Sequence, residues 1–530
     1  MMKIYRKPRK ITSKKNKSVS NDRVEYSTQL LSQAQEDTIF STIDENFEFL
    51  KSILGNGMGL IVGKYDILEG KVQTGVVYIE GITDKKLISS QVIKPLLEGR
   101  VDFNLDFDDI LWLMQSKFIL IPNTRKCSQM KLVVDSLLNG DTVLFINDID
   151  SALIIGSRKI EKRSIEKPDN EVTVFGSMDS FTEDLETNCS MVFKRLPTHY
   201  LCFETFTIGL LSHTKVKLLW LDGIANTKII EEARRRIEKI DIDAVDGIGV
   251  LAELIEDKPL SVFPKYRQTQ RPDVVTKNLT DGHFAMFCSN SPFALIAPIT
   301  FWDNFKTMDD YSERVLVSSF LRFVRYIAFI LAVLVSPLYL SFVAYNHTVV
   351  PPALAANITA GREGVPFPTV VELLIMTFAI TVIREASLRI PGSVGYFVGA
   401  LSAVVLGQSA VIAGYVSASV IIVAAISAIS SFAIGTTSLV YPSKLINYFF
   451  ILLAGVFGMF GLINGFVIIF WHLVSLESFG VPYLYPMVPF DLEGMKDTFI
   501  RAPLSVMKKR LRILVPYNRI RMNNKKHEGE

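Results

Sequence analysis

The sequence predicts a two-lobed α/β soluble region followed by an all-α polytopic membrane domain, and three observations carry that reading. From Tyr326 to Leu476 there are only seven acidic or basic side chains (Arg362, Glu363, Glu372, Arg384, Glu385, Arg389 and Lys444), with none from Ile390 to Ser443. A bilayer core takes about 20 apolar helical residues to cross, and a charge at its centre costs about 3 kcal/mol on insertion scales, so lipid selects charge-free runs of this kind. Residues 38–300, by contrast, alternate β-like apolar runs with amphipathic helical segments, the pattern of α/β packing. Finally, 530 residues at 49% apolar content are too many for one domain and too apolar for a purely soluble chain.

Residues 1–37 read as a basic, solvated and disordered tail. Lys3, Arg6, Lys7, Arg9, Lys10, Lys14, Lys15 and Lys17 precede a polar stretch with no apolar run, which is not the build of a signal peptide. An anionic lipid surface is the alternative partner for these charges. The net charge of +3 gives no reason to expect nucleic acid.

The soluble region divides into lobe 1 (38–165) and lobe 2 (166–308), parted near the charged stretch 158–170. Val76-Val77-Tyr78-Ile79-Glu80-Gly81-Ile82 and Leu218-Leu219-Trp220-Leu221-Asp222-Gly223-Ile224 resemble each other, and each leads into a helix. Both read as a buried strand, a turn whose Gly takes positive φ, and a helix folded back on the sheet, which suggests a duplication. Glu80 and Asp222 are expected to cap these turns. Pro-containing stretches at 262–264, 269–273 and 291–293 interrupt regular structure and shape the approach to the membrane.

No enzyme motif, metal site or cofactor site emerges. Cys127, Cys189, Cys202 and Cys288 are widely spaced, the six His lack ligand spacing, and there is no phosphate loop or dinucleotide fingerprint. Glu183, Asp184 and Glu186, like Asp241, Asp243 and Asp246, read as solvated faces rather than metal carboxylates.

The membrane domain spans 309–480, with four firm crossings at about 326–346, 394–413, 416–434 and 446–473. Arg322 and Arg325 place the start of the first on the cytoplasmic side. The segment 369–383 is short, with Glu372 near its start and Arg384, Glu385 and Arg389 at its end. The segment 481–530 reads as a basic cytoplasmic tail, carrying Lys496, Arg501, Lys508, Lys509, Arg510, Arg512, Arg519 and Arg521. Both ends inside require an even number of crossings. Either 369–383 is re-entrant or interfacial, or the last run breaks near Asn464 and Gly465 into two passes.

Glu372 is a membrane-domain polar candidate, because an acid near membrane depth faces a cavity or a partner unless it lies at the interface. Glu385 and Arg389 read as an i, i+4 ion pair. Small and hydroxylated residues crowd 394–434, which suits close helix packing; the functional alternative is that Ser402, Gln408 or Ser409 faces a watery pore.

Several stretches in order resemble the A subunit of the GerA-type spore germinant receptor. They are Val77-Tyr78-Ile79-Glu80-Gly81-Ile82 through Ile93-Lys94-Pro95-Leu96, Gln270-Arg271-Pro272-Asp273, Arg384-Glu385-Ala386 with Arg389-Ile390-Pro391, Gly407-Gln408-Ser409-Ala410-Val411, Gly480-Val481-Pro482-Tyr483, and Asp497-Thr498 with Arg501-Ala502-Pro503. The chain departs from the usual pattern at Phe175-Gly176-Ser177 and at Ser289-Asn290-Ser291. The resemblance implies a non-enzymatic subunit of the spore inner membrane, with its N-terminal lobes cytoplasmic. It also implies assembly with a transporter-like B subunit and a lipoprotein C subunit. A homo-oligomer, a pentamer, would form a ligand-gated cation channel that triggers germination. In that setting Ser402, Gln408 and Ser409 are pore-lining candidates and Val411 a candidate constriction. A secondary transporter and a membrane-anchored signalling scaffold are the rival readings.

Overall fold

The computed structural model describes residues 38–67, 70, 72–98, 107–119, 121–158, 171, 176–390, 393–515 and 518–521. The expected N-terminal tail, the lobe boundary at 159–170, Phe175 and residues 522–530 lie outside them.

The first half of the soluble region runs α1 (Ile43–Leu54), β1 (Leu60–Ile67), β2 (Val72–Ile79), short helices between Lys85 and Phe118, β3 (Thr124–Cys127), α2 (Met130–Leu138), β4 (Thr142–Ile146) and β5 (Ala152–Ile155). The second half repeats the plan. It runs α3 (Leu185–Arg195), β6 (Leu201–Ile208), β7 (Thr214–Leu221), α4 (Thr227–Glu238), α5 (Ile248–Ile255), β8 (Arg267–Thr269), α6 (Pro272–Thr280), β9 (Phe284–Cys288) and β10 (Ala294–Ala297). The sheets have orders β1-β2-β4-β5-β3 and β6-β7-β9-β10-β8, the same topology twice, with every pairing antiparallel. The resemblance between 76–82 and 218–224 is thus the visible part of a whole-lobe repeat.

The turns behave alike. Gly81 (φ 92°) and Gly223 (φ 70°) both occupy the left-handed region. Asp222 accepts from the Gly223 N–H of its turn at 3.0 Å, while the helices that follow are capped by Asp84, which accepts from the N–H groups of Lys86 and Leu87, and by Asn226, which accepts from that of Lys228. Glu80 instead pairs with Lys85.

The two halves share a core. Phe47 and Leu50 of α1, Val133 and Leu137 of α2, Val192 and Phe193 of α3, and Val274 and Val275 of α6 are buried in one cluster with residues of both sheets. Each helix offers an apolar stripe at helical spacing, and the four stripes fill the space between the sheets. The outer face of the first sheet is covered by Ile88, Val92, Leu96 and Met114, and that of the second by α4, α5 and residues Phe479, Val481, Leu514 and Val515. Strands β4 and β9 are consequently buried at every position, each large apolar side chain contributing about 1.5–3 kcal/mol.

The helical region comprises α7 (Val315–Ala344), α8 (Pro352–Ala360), α9 (Thr369–Arg389), α10 (Ser393–Ile412), α11 (Ala418–Phe432) and α12 (Val440–Val474). Val315–Ala344 and Thr437–Val474 are long and apolar enough to cross a membrane. Helix α12 is not one rod. Gly458 leaves helical geometry at φ 58°, ψ −138°, and a Cβ on Gly465 would lie 2.7 Å from Leu453 Cδ1 and 2.9 Å from Phe450 Cε1. Along a straight helix, residues 450 and 465 would be about 22 Å apart. The chain therefore folds back at Gly458 into a hairpin, six residues before the break considered at Asn464.

Landmarks along the bundle fix the course of the chain. At the lobe end, a Cβ on Gly435 would lie 3.1 Å from Asn304 O, and Lys258 Nζ donates to Ser475 O at 2.7 Å. Midway, Ser427 donates to Ala332 O at 2.6 Å and Asn447 to Val333 O at 2.9 Å. At the far end Tyr345 donates to Gly455 O at the hairpin tip, beside Val370 of α9. The segment expected to be short is a 21-residue helix, about 31 Å long. Among the described residues the chain traverses the bundle six times, as α7, α9, α10, α11 and the two arms of α12.

Candidate functional site

At the far end of the bundle Glu372 is fully buried. Its Oε2 accepts from the Ser417 N–H at 2.9 Å, and its Oε1 lies 3.5 Å from Arg362 Nε. An acid at the start of α11 meets the unsatisfied N–H groups and the positive end of that helix, so the carboxylate joins α9, α11 and the α8–α9 connection. Beside it Tyr339 and Ser419 share a hydrogen bond of 2.7 Å.

The other polar candidates of α9 lie at its lobe end. Arg384 stacks over Phe432 at 4.4 Å and Tyr441 at 5.4 Å, bridging α9 to both ends of the α11–α12 connection. Glu385 and Arg389 form the i, i+4 ion pair, 2.8 Å long and exposed; exposed pairs of this kind add about 0.3–0.5 kcal/mol.

Helix α10 packs chiefly on α9. Gln408 and Ser409 are exposed on the single chain, Ser402 is half-buried, and Val411 is 37% exposed beside Ile412. These four do not converge with Glu372, Arg384, Glu385 or Arg389 on one site.

A third locus, unread in the sequence, joins lobe 2 to the first long helix. Arg322 is fully buried: Nε and Nη2 donate to Asp310 Oδ2 at 3.1 and 3.0 Å, and Nη1 donates to Asp497 Oδ1 at 2.9 Å. Arg325 donates to the other Asp310 oxygen at 2.7 Å, and Tyr311 donates to Asp497 Oδ2 at 2.7 Å. The start of α7 is thereby tied to the turn before it and to the segment behind α12. That segment is packed rather than trailing. Tyr483 donates to Pro264 O at 2.6 Å, the Phe301 N–H to Tyr483 O at 2.8 Å, and Trp302 Nε1 to Leu484 O at 3.2 Å.

Charge balance follows from these contacts. Burial alone would raise Asp303, but Lys306 and His283 outweigh it and hold the carboxyl below the usual range. Burial likewise opposes Lys306, yet Asp303 and Asp497 raise it. Asp497 is held low against its burial by Lys306, Lys277 and Arg322. Lys277, its ammonium 3.7 Å from the Tyr311 ring centre, is pushed by burial down to about 8. Arg322 and Arg325 were legible only as orientation signals, because their partners Asp310 and Asp497 are set by the fold.

Residues 48–513 match the family described as Bacillus/Clostridium GerA spore germination protein. The chain is 35% identical over 480 residues to the uncharacterized membrane protein YfkQ of Bacillus subtilis (strain 168), covering 91% of this chain and 93% of that protein. It is 34% identical over 466 residues to spore germination protein KA of the same organism, covering 88% and 85%. The N-terminal domain of the A subunit of the Bacillus megaterium spore germinant receptor GerK3 aligns with 50% of this chain and 98% of its own, at 29% identity and a TM-score of 0.39. Matched from the first helix to the segment packed behind the last, this chain belongs to the GerA family of spore germination proteins.

Proposed function

We propose that this protein is the A subunit of a nutrient germinant receptor in the spore inner membrane. It would oligomerise, as a pentamer, into a ligand-gated cation channel whose opening triggers germination. In this reading the six traverses of the bundle are six membrane crossings, with the lobes and both chain ends on the spore-core side. A transporter-like B subunit and a lipoprotein C subunit would complete the receptor.

The observation that carries the proposal is α10. Its described side chains between Val404 and Ile412 are mostly exposed on the single chain, and they include Gln408 and Ser409. An uncovered amide in hydrocarbon lacks hydrogen-bond partners, so such residues belong against another subunit or water. A ring of α10 helices would supply both, with Ser402, Gln408 and Ser409 easing a hydrated ion and Val411 closing the path by excluding water when the ring is narrow.

The break at Gly458 gives the secondary-transporter reading its one specific support, since transporters bind solutes at broken helices. Conductance separates the two. The purified receptor in a planar bilayer should pass ionic current with no solute gradient, and current that requires one would favour the transporter.

A further inference from the structure

We infer that the junction between lobe 2, the turn before α7 and the segment behind α12 holds a site for a phosphate-class oxyanion. A cavity of about 70 Å³ lies there, enough for one such ion or a few waters. Its lining carries six cationic side chains (Arg267, Lys277, Lys306, Lys509, Arg510 and Arg521) against four carboxylates (Asp281, Asp303, Glu493 and Asp497).

The carboxylates are also heavily engaged. Asp281 serves both Lys277, at 3.7 Å, and Arg521; Glu493 pairs with Lys496; Asp497 is taken by Arg322 and Tyr311. Among the described residues, the Arg510 guanidinium donates to the carbonyls of Thr280, Asn518 and Ile520 and to the Asn518 amide oxygen, and to no carboxylate. Arg267 gives one N–H to Lys306 O at 3.3 Å, and its buried Nε has no hydrogen-bond partner among the described residues. A tetrahedral oxyanion accepts from several N–H donors at once and would complete this set, as arginine forks do with phosphate.

The bound ion would fasten the three segments that meet here, and with them the attachment of lobe 2 to α7. Its source is either a free oxyanion of the aqueous phase or the headgroup of an anionic lipid, since Arg322 is one turn from the apolar part of α7.

Two arms test the site. Full-length protein in nanodiscs of zwitterionic lipid is titrated with sulfate by calorimetry at constant ionic strength in chloride, and the titration is repeated in nanodiscs containing phosphatidylglycerol. Saturable sulfate binding in both arms assigns a free oxyanion; binding suppressed by phosphatidylglycerol assigns the headgroup. Lys277→Gln and Arg510→Gln should each weaken sulfate by about tenfold, while Lys239→Gln on the exposed end of α4 should not. If Lys277→Gln fails to fold, Arg510→Gln, nearer the rim, carries the test alone. Absence of saturable binding in both arms, or binding unchanged by the folded cavity variants, overturns the site.

Discussion

Replacing Arg322 with methionine keeps the length of the stem and removes the guanidinium. Asp310, itself fully buried, would keep Arg325 and the longer bonds from the Thr307 N–H and hydroxyl, and Asp497 would keep Tyr311 and a Lys306 ammonium 3.9 Å away. Breaking a buried pair by removing one partner costs about 3–5 kcal/mol, because the other charge stays desolvated. The residual partners place this variant at the lower end, about 3 kcal/mol. The assay is chemical unfolding of full-length protein in detergent, for Arg322→Met, Asp497→Asn and the double variant. Because the two groups touch, the double variant should fall short of the sum of the singles by about 1–2 kcal/mol. A cost below about 1 kcal/mol for Arg322→Met, or strictly additive costs, would refute the idea that this network holds lobe 2 to the helical region.

Topology can be checked with single cysteines: at Ser20, Asn524 and Glu477 they should resist an impermeant thiol reagent applied from outside, while at Met459 and Gly364 they should react. Labelling at Glu477 together with protection at Met459 would point to an unbroken last helix. Gly465→Leu would drive a side chain into Leu453 and Phe450 and should cost about 1–3 kcal/mol by overpacking the hairpin; stability unchanged in the same unfolding assay would contradict the hairpin. Lys277 faces Asp281 from its own helix and Tyr311, Asp303, Asp497, Arg267 and Arg521 from the elements around it. Its folded value of about 8 lies below the ordinary 10.5, so over that interval the unfolded chain holds the extra proton and stability rises with pH. Lys277→Met, compared in sulfate-free buffer, should flatten that rise; an identical slope in the variant would show that Lys277 does not cause it.

Legibility differed by region for physical reasons. The duplication was visible where burial on both faces restricts side chains, at β2 and β7, and invisible over the amphipathic helices, whose exposed faces diverge freely. Periodicity in α1 or α3 marks an apolar face without saying what covers it, so the core shared by both sheets could not be read. Charge-free runs marked the helical region, but α12 offers Gly455, Gly458, Gly461 and Gly465 in an unbroken apolar stretch, and composition alone cannot select the one that turns. Length counted between charges made α9 look short, because Glu372 and Arg384 have partners that admit them to the bundle. The Arg322 network depends on a residue 175 positions away, Asp497, which no local pattern encodes. Helix α10 is apolar or small all round, so its face toward a neighbour was not assigned.

The proposed channel is tested most directly at Val411, in spores where the abundance of the whole receptor is shown to be unchanged. Val411→Ala widens the constriction that a ring of α10 helices would form, and ion release should begin without nutrient. Val411→Leu narrows it and should raise the nutrient requirement. Ion release from Val411→Ala spores that stays wholly normal and nutrient-dependent would contradict a pore lined by this helix.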